Sequence, residues 1–160
     1  MKSIVIFYSR TGTTRKAGLE IAKSLGCDSE EILDTAERKG LIGYMRSGKE
    51  STQRKLTNLR PMQNDVSKYD LVIIGTPIWA WNMSSPVRTF ITENKGMIKK
   101  AAFFCTMGRS GAEKAFREMA GILGKKPAST LALTTKEVMA GDISEKTVGF
   151  TKTFKSIKGR

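Results

Sequence analysis

The first fourteen residues constrain this chain more than any other stretch. Residues 3–8 read Ser-Ile-Val-Ile-Phe-Tyr, a short apolar, β-branched run that predicts a buried strand. The run breaks into Ser9-Arg10-Thr11-Gly12-Thr13-Thr14, nearly all hydroxyls around one glycine. From Lys16 to Leu25, the residues Ala17, Ile21, Ala22 and Leu25 recur on one helical stripe. A strand that ends in a hydroxyl loop and reopens as a helix aims backbone N–H groups, hydroxyls and a positive dipole end at one point. A phosphate group fits that point. Gly12 permits close backbone approach or positive φ. Arg15 and Lys16 fall in the first helical turn, where the dipole disfavours cations, and a bound dianion would relieve that conflict. The plainer alternative is a helix capped by Thr13 or Thr14, with Arg15 and Lys16 in solvent. Of the two, the phosphate reading accounts for more of the stretch.

The composition narrows the chemistry. At 160 residues and 39% apolar content, the chain is expected to form one domain over residues 1–160 with a real core. No apolar run reaches the length of a membrane span, and no signal-like segment precedes the first strand, so a cytoplasmic protein is expected. Cys27 and Cys105 are the only cysteines, too few and too far apart for a metal cluster or disulfide framework. The chain has no histidine, which excludes a Ser-His-Asp triad, a Cys-His dyad and any histidine-based metal site. Chemistry borrowed from an organic cofactor suits such a chain better. The net charge of +13 favours acidic partners: nucleic acid, an anionic membrane surface or an acidic protein. Its plainer meaning is solubility. The basic excess is spread over residues 38–60, 95–100 and 146–160, and no run is dense enough to name a nucleic-acid motif.

Further along, residues 29–33 predict a weak second strand. Residues 34–63 are polar and basic, with one apolar cluster, Leu41, Ile42, Tyr44 and Met45, expected to form a short helix docked on the sheet. Gly43, Gly48 and Lys49 imitate the spacing of a nucleoside-triphosphate loop, but Glu50 stands where Ser or Thr would hold magnesium, and no strand leads in. Residues 69–75 are the strongest strand, apolar on both faces as central parallel strands are. They run into Thr76-Pro77-Ile78-Trp79-Ala80-Trp81-Asn82. Ser85 as cap and Pro86 in the first turn predict the next helix, with Val87, Phe90 and Ile91 inward. Two indoles in a loop at the carboxyl end of a central strand point to a flat aromatic ligand or an interface, with simple packing as the alternative. Residues 101–105 predict a fourth strand, followed by Met107-Gly108-Arg109-Ser110-Gly111 and a helix through Leu123 that Gly124 ends. Residues 129–134 predict a fifth strand. A final basic helix is expected over 144–157, its continuity weakened by Gly149. Alternation of this kind implies a parallel sheet with helices on both faces, whose ligands bind beyond the carboxyl ends of the strands at the topological switch point.

On these motifs the chain resembles the flavodoxin-like family over essentially its whole length. Ser9-Arg10-Thr11-Gly12-Thr13-Thr14 resembles that family's phosphate loop, which holds the phosphate of FMN. Thr76 to Asn82 falls where its first isoalloxazine loop lies, and Cys105 to Gly111 where its second lies. The resemblance implies an α/β three-layer sandwich around a five-stranded parallel sheet of order 2-1-3-4-5, and one noncovalent FMN. It implies that Ser9, Arg10, Thr11, Gly12, Thr13 and Thr14 bind the phosphate. By the same resemblance Thr76, Pro77, Ile78, Trp79, Ala80, Trp81 and Asn82 wall one side of the ring, with Trp79 the first choice for stacking and Trp81 the second. Cys105, Thr106, Met107, Gly108 and Gly111 form its other edge, with Cys105 as a small strand-end residue rather than a redox partner. No catalytic residue and no metal ligand is implied.

Two departures from the family bear on function. The chain is basic where many flavodoxins are acidic, and Arg109 near the ring would favour anionic reduced flavin and raise its potential. The first ring loop also lacks the glycine that lets a peptide turn toward flavin N5 in one-electron carriers. The reading that follows is an FMN-binding electron-transfer protein working between redox partner proteins, with acidic partners favoured. The alternative on the same fold is an FMN-dependent NAD(P)H:quinone-type oxidoreductase. A basic anion- or nucleic-acid-binding module without flavin explains the charge but leaves both loops without a purpose.

Overall fold

A computed structural model describes residues 1–35 and 40–156. The strands are β1 (Ser3–Phe7), β2 (Asp28–Glu31), β3 (Leu71–Trp79), β4 (Asn82–Met83), β5 (Ala101–Met107) and β6 (Thr130–Thr134). The helices are α1 (Thr13–Leu25), α2 (Gly40–Thr52), α3 (Ser85–Asn94), α4 (Ala112–Leu123), α5 (Thr135–Ala140) and α6 (Ser144–Lys155). Five strands run parallel in the order β2-β1-β3-β5-β6, and the short β4 pairs antiparallel with β3 off that path. The expected order 2-1-3-4-5 therefore recurs, with one two-residue strand added.

The central strands are apolar on both faces because both faces are covered. Ile4, Ile6, Val72, Ile74, Ala101 and Phe103 point to one side and pack with Val87, Phe90 and Ile91 of α3 and Ala115, Met119 and Leu123 of α4. Val5, Phe7, Leu71, Ile73, Ala102 and Phe104 point to the other and pack with Ala17 and Ile21 of α1, Val138 of α5, and Phe150 and Phe154 of α6. Outermost beside β1 lies β2, whose sequence Asp-Ser-Glu-Glu is half-buried to exposed. Charge on an edge strand blocks pairing with another chain.

One close approach fixes how the second layer sits. At Gly75 in β3, a Cβ would lie 2.0 Å from the Phe104 ring of the neighbouring strand, and Phe104 is fully buried. A side chain at 75 has nowhere to go.

Several element boundaries differ from expectation. The first helix opens at Thr13 on a Gly12 cap with φ of 100° and no side-chain cap, so neither Thr13 nor Thr14 caps it. The cap of α3 is Ser84, one residue before the expected Ser85. The final helix runs unbroken through Gly149. Its expected end at Ile157, the tail 157–160 and Arg38 of the basic stretch lie outside the described residues. The imitation phosphate loop is helical throughout, since Gly43, Gly48 and Lys49 all fall in α2.

The largest correction concerns α2. Leu41, Ile42, Tyr44 and Met45 do form a helix, but they do not dock on the sheet. They are 75%, 83%, 62% and 64% exposed. The buried side of the helix is Gly43, Ser47 and Ser51, and the Ser51 hydroxyl donates to the Met83 carbonyl at 2.7 Å. Small residues at i, i+4 and i+8 let α2 lie close to β4, and the bulky ones are turned outward.

The sequence reading also missed α5, a six-residue helix held by a reciprocal cap. The Glu137 N–H donates to Thr134 Oγ1 at 3.1 Å, and the Thr134 N–H donates to Glu137 Oε2 at 2.8 Å. A hydrogen bond from Lys146, followed by the Thr134 amide, lowers the Glu137 carboxyl to about 2.

Two outcomes follow. Gly75→Ala is expected to lower the unfolding free energy by about 2–3 kcal/mol through overpacking, with partial recovery in Gly75→Ala/Phe104→Leu, read from urea denaturation. Because Glu137 is held below its unfolded value, its stabilisation is present above about pH 5 and is lost as pH falls toward 2. The stability gap between wild type and Glu137→Gln should therefore close over that window in acid denaturation profiles.

Candidate functional site

The carboxyl edge of the sheet gathers the loops after β1, β3, β5 and β6. The order β2-β1-β3 places the topological switch between β1 and β3, where ligands bind in open α/β sheets. Two adjoining cavities open there. The smaller, about 220 Å³, is lined by Arg10, Thr11, Thr13 and Thr14 on one side and by Thr106, Met107 and Thr135 on the other. The larger, about 600 Å³, lies between Tyr44, Met45 and Lys49 of α2, Trp81 of the hairpin, and residues 108–110. Tyr44, Ile78, Trp79 and Gly108 border both.

The loop after β1 is built by its own side chains. The Ser9 hydroxyl, buried at 7% exposure, accepts from the Gly12 N–H at 3.0 Å and the Arg15 N–H at 3.1 Å. Ser9 thus spends its hydroxyl shaping the loop. Thr14 is buried too, and its Oγ1 pairs with Thr106 Oγ1 at 2.7 Å, tying this loop to the end of β5. Thr11 is exposed and Thr13 half-exposed, and both border the smaller cavity. Arg10 lies over the Tyr44 ring, 5.4 Å from its centroid, which joins α2 to the same loop. The expected conflict between Arg15 and the α1 dipole has an internal answer. Arg15 makes a bidentate pair with Glu31 of β2 at 2.8 and 2.7 Å, which raises the Arg15 pKa.

The tryptophans part company. Trp79 is only 7% exposed and meets Tyr8 edge-to-face at 5.5 Å. Trp81 is 64% exposed, and its Nε1 donates to Ser110 Oγ at 3.2 Å. The difference comes from the hairpin. Ala80 and Trp81 form its two-residue tip with φ of 47° and 62°, the left-handed pair that a tight antiparallel turn requires. Neither is glycine, so the tip is strained. Asn82, 4% exposed, holds it by donating from Nδ2 to the Ala80 carbonyl at 2.7 Å. Gly111, at φ 110°, lies against the tip from the other side, where a Cβ would fall 2.8 Å from Ile78 and 3.1 Å from Trp81 Cα.

Of the site residues expected from sequence, Arg10, Thr11, Thr13, Thr14, Pro77, Ile78, Trp79, Ala80, Trp81, Thr106, Met107 and Gly108 border the two cavities. Ser9, Gly12, Thr76, Asn82, Cys105 and Gly111 do not, and they build the frame behind. Thr76 shows the distinction. It is fully buried, and its hydroxyl accepts from the Ser84 N–H at 3.0 Å and donates to the Pro77 carbonyl at 2.8 Å. Cys105 is fully buried, and desolvation pushes its thiol up to about 12, which keeps it in the unreactive thiol form. Sequence reasoning missed Tyr44 and Met45, because an apolar cluster on a helix reads as core, and Lys49, which it weighed only within the imitation loop. Ser110 was passed over between Arg109 and Gly111. Among the described residues, the charges lining the cavities are Arg10, Lys49 and Arg109, with no carboxylate beside them.

Residues 44–156 match the model of the family described as the flavodoxin domain. The chain belongs to that family. No curated protein matches it. Among solved structures, a putative flavoprotein from Bacteroides uniformis superposes with a TM-score of 0.78 at 23% identity, covering 94% of this chain and 97% of that one. A flavoprotein from Lactobacillus acidophilus in complex with FMN gives 0.72 at 18% identity over 87% and 97%. The two-electron reduced flavodoxin of Megasphaera elsdenii gives 0.58 at 16% identity over 94% and 98%. At these identities the likeness is one of fold.

The hairpin tip gives a direct test. Asn82→Ala is expected to cost about 0.5–1.5 kcal/mol, the net worth of one part-buried hydrogen bond whose acceptor residue, Ala80, is exposed. The measurement is urea denaturation, accompanied by faster amide exchange at residues 80–82.

Proposed function

We propose that this flavodoxin-domain protein binds FMN noncovalently and transfers electrons between redox partners. The observation that carries the reading is the pairing of a hydroxyl-rich helix N-terminus with an aromatic-walled cleft at the switch point. The smaller cavity offers the exposed hydroxyl of Thr11 and the half-exposed hydroxyl of Thr13 beside the start of α1, the donor set a phosphate needs. The larger offers the Trp81 and Tyr44 rings with Ile78 and Met45, an apolar wall suited to a flat ring system. These residues fit FMN. When bound, FMN supplies the electron chemistry.

The roles then divide. Thr11, Thr13 and the α1 amides hold the phosphate, and Ser9 keeps the loop in shape. Thr14 and Thr106 hold the two loops at a fixed spacing. Trp81, the exposed indole, takes the stacking role first considered for Trp79. Lys49 and Arg109 place positive charge on the ring-side walls, which favours negative charge in the cleft. The basic surface steers acidic redox proteins toward the site, with strong salt dependence.

A second reading draws support from the size and openness of the larger cavity. At about 600 Å³ it lies in the range of small-molecule sites, and it supports entry of a second flat substrate beside Trp81. That would make the protein an FMN-dependent NAD(P)H:quinone-type oxidoreductase. Steady-state NAD(P)H oxidation with quinone acceptors separates the two readings.

The first experiment is FMN titration followed by desalting and a visible spectrum. Wild type is expected to retain flavin. Thr11→Ala/Thr13→Ala should bind about a hundredfold more weakly, as loss of two hydroxyl contacts to a charged group implies. A folded wild type that stays colourless would overturn the proposal and favour anion binding without flavin.

A further inference from the structure

The outward row of α2 is only partly used by the cleft: Tyr44 and Met45 line the larger cavity, while Leu41 and Ile42 border neither cavity. Leu41, Ile42, Tyr44 and Met45 stand 62–83% exposed on a helix whose inner side is Gly43, Ser47 and Ser51. An ordinary surface helix turns its bulky apolar side to the core. Here that arrangement is inverted. Trp81, 64% exposed, extends the patch across the cleft mouth, where it lines the same cavity as Tyr44 and Met45. Exposed Arg46, Lys49 and Arg109 border the patch. Arg46 pairs with Glu50 at 2.9 Å, and Lys49 and Arg109 add positive charge beside the cleft.

Two properties select the occupant. Its side chains project from α2 and from the hairpin tip, so a protein partner would need a matching groove, whereas lipid deforms around them. A second copy would bring two chains of net charge +13 together, and the repulsion opposes it. An anionic lipid surface meets both. Apolar residues with Tyr and Trp beside Lys and Arg are the composition of helices that lie in the membrane interface.

We propose that the α2 face docks this protein peripherally on anionic lipid, with Leu41 and Ile42 entering the headgroup boundary and Arg46, Lys49 and Arg109 over the phosphates. Docking would turn the cleft mouth toward the lipid. The inference stands whether or not the cleft holds FMN.

The test is flotation of the full chain with vesicles of 70% phosphatidylcholine and 30% phosphatidylglycerol, against pure phosphatidylcholine, at about 0.1 M salt. The comparison is Leu41→Ser/Ile42→Ser, whose positions lie outside the cleft lining and whose fold is checked by circular dichroism and thermal midpoint. Wild type should float with the anionic vesicles and not with the neutral ones, and the folded variant should bind about tenfold more weakly. Equal flotation of both proteins would mean attraction by charge alone and would overturn docking through α2. Absence of flotation would overturn it outright. A wild-type dimer in sedimentation that the double variant abolishes would assign the face to a second copy instead.

Discussion

The site depends on one buried contact, the 2.7 Å hydrogen bond between the Thr14 and Thr106 hydroxyls. It joins the first turn of α1 to the end of β5 across the mouth of the central strand. Both threonines are nearly sealed from solvent, at 1% and 4% exposure, so neither finds water if the pair breaks, and the loss of one partner costs more than the bond itself is worth. With the two loops held together, the small cavity has fixed walls. The Ser9 hydroxyl then sets the path of the loop between them by accepting from two backbone amides. A binding site on loops keeps its geometry only when such supports hold it.

The sheet itself was legible in the sequence, because buried parallel strands carry an unmistakable pattern. Residues 69–75 and 101–105 could hardly be anything else, and the loops after them fell where the cavities are. The rest was hidden for physical reasons. At Ala80 and Trp81 the left-handed turn is held by the adjacent Asn82 and by the distant Gly111, and the tip itself carries no local signal such as Asn-Gly. That is why β4 was missed and why the two indoles were treated alike. The capped helix after β6 was missed because it is a single short element, although Thr134 and Glu137 at the right spacing do signal it.

The inverted α2 is the more instructive failure. Apolar residues in a helical stretch are read as core because most helices bury them. The true inner face, Gly43, Ser47 and Ser51, is nearly as regular, but small and polar residues count for little in hydrophobic periodicity. The outward row then faces two possible environments, solvent or something apolar. Burial against the sheet, the usual third, is already taken by the serines.

Gly111 and the hairpin tip have a consequence for anyone redesigning this cleft. With no Cβ between them, the Ala80–Trp81 turn and the segment opening α4 touch backbone to backbone, and the Trp81–Ser110 bond clasps them again from outside. One segment continues the central strand β3 and the other follows its neighbour β5, so the two are distant in sequence and locked together in space. A graft that carries the aromatic turn into another scaffold without its glycine neighbour would bring the tryptophan and leave behind the surface that aims it.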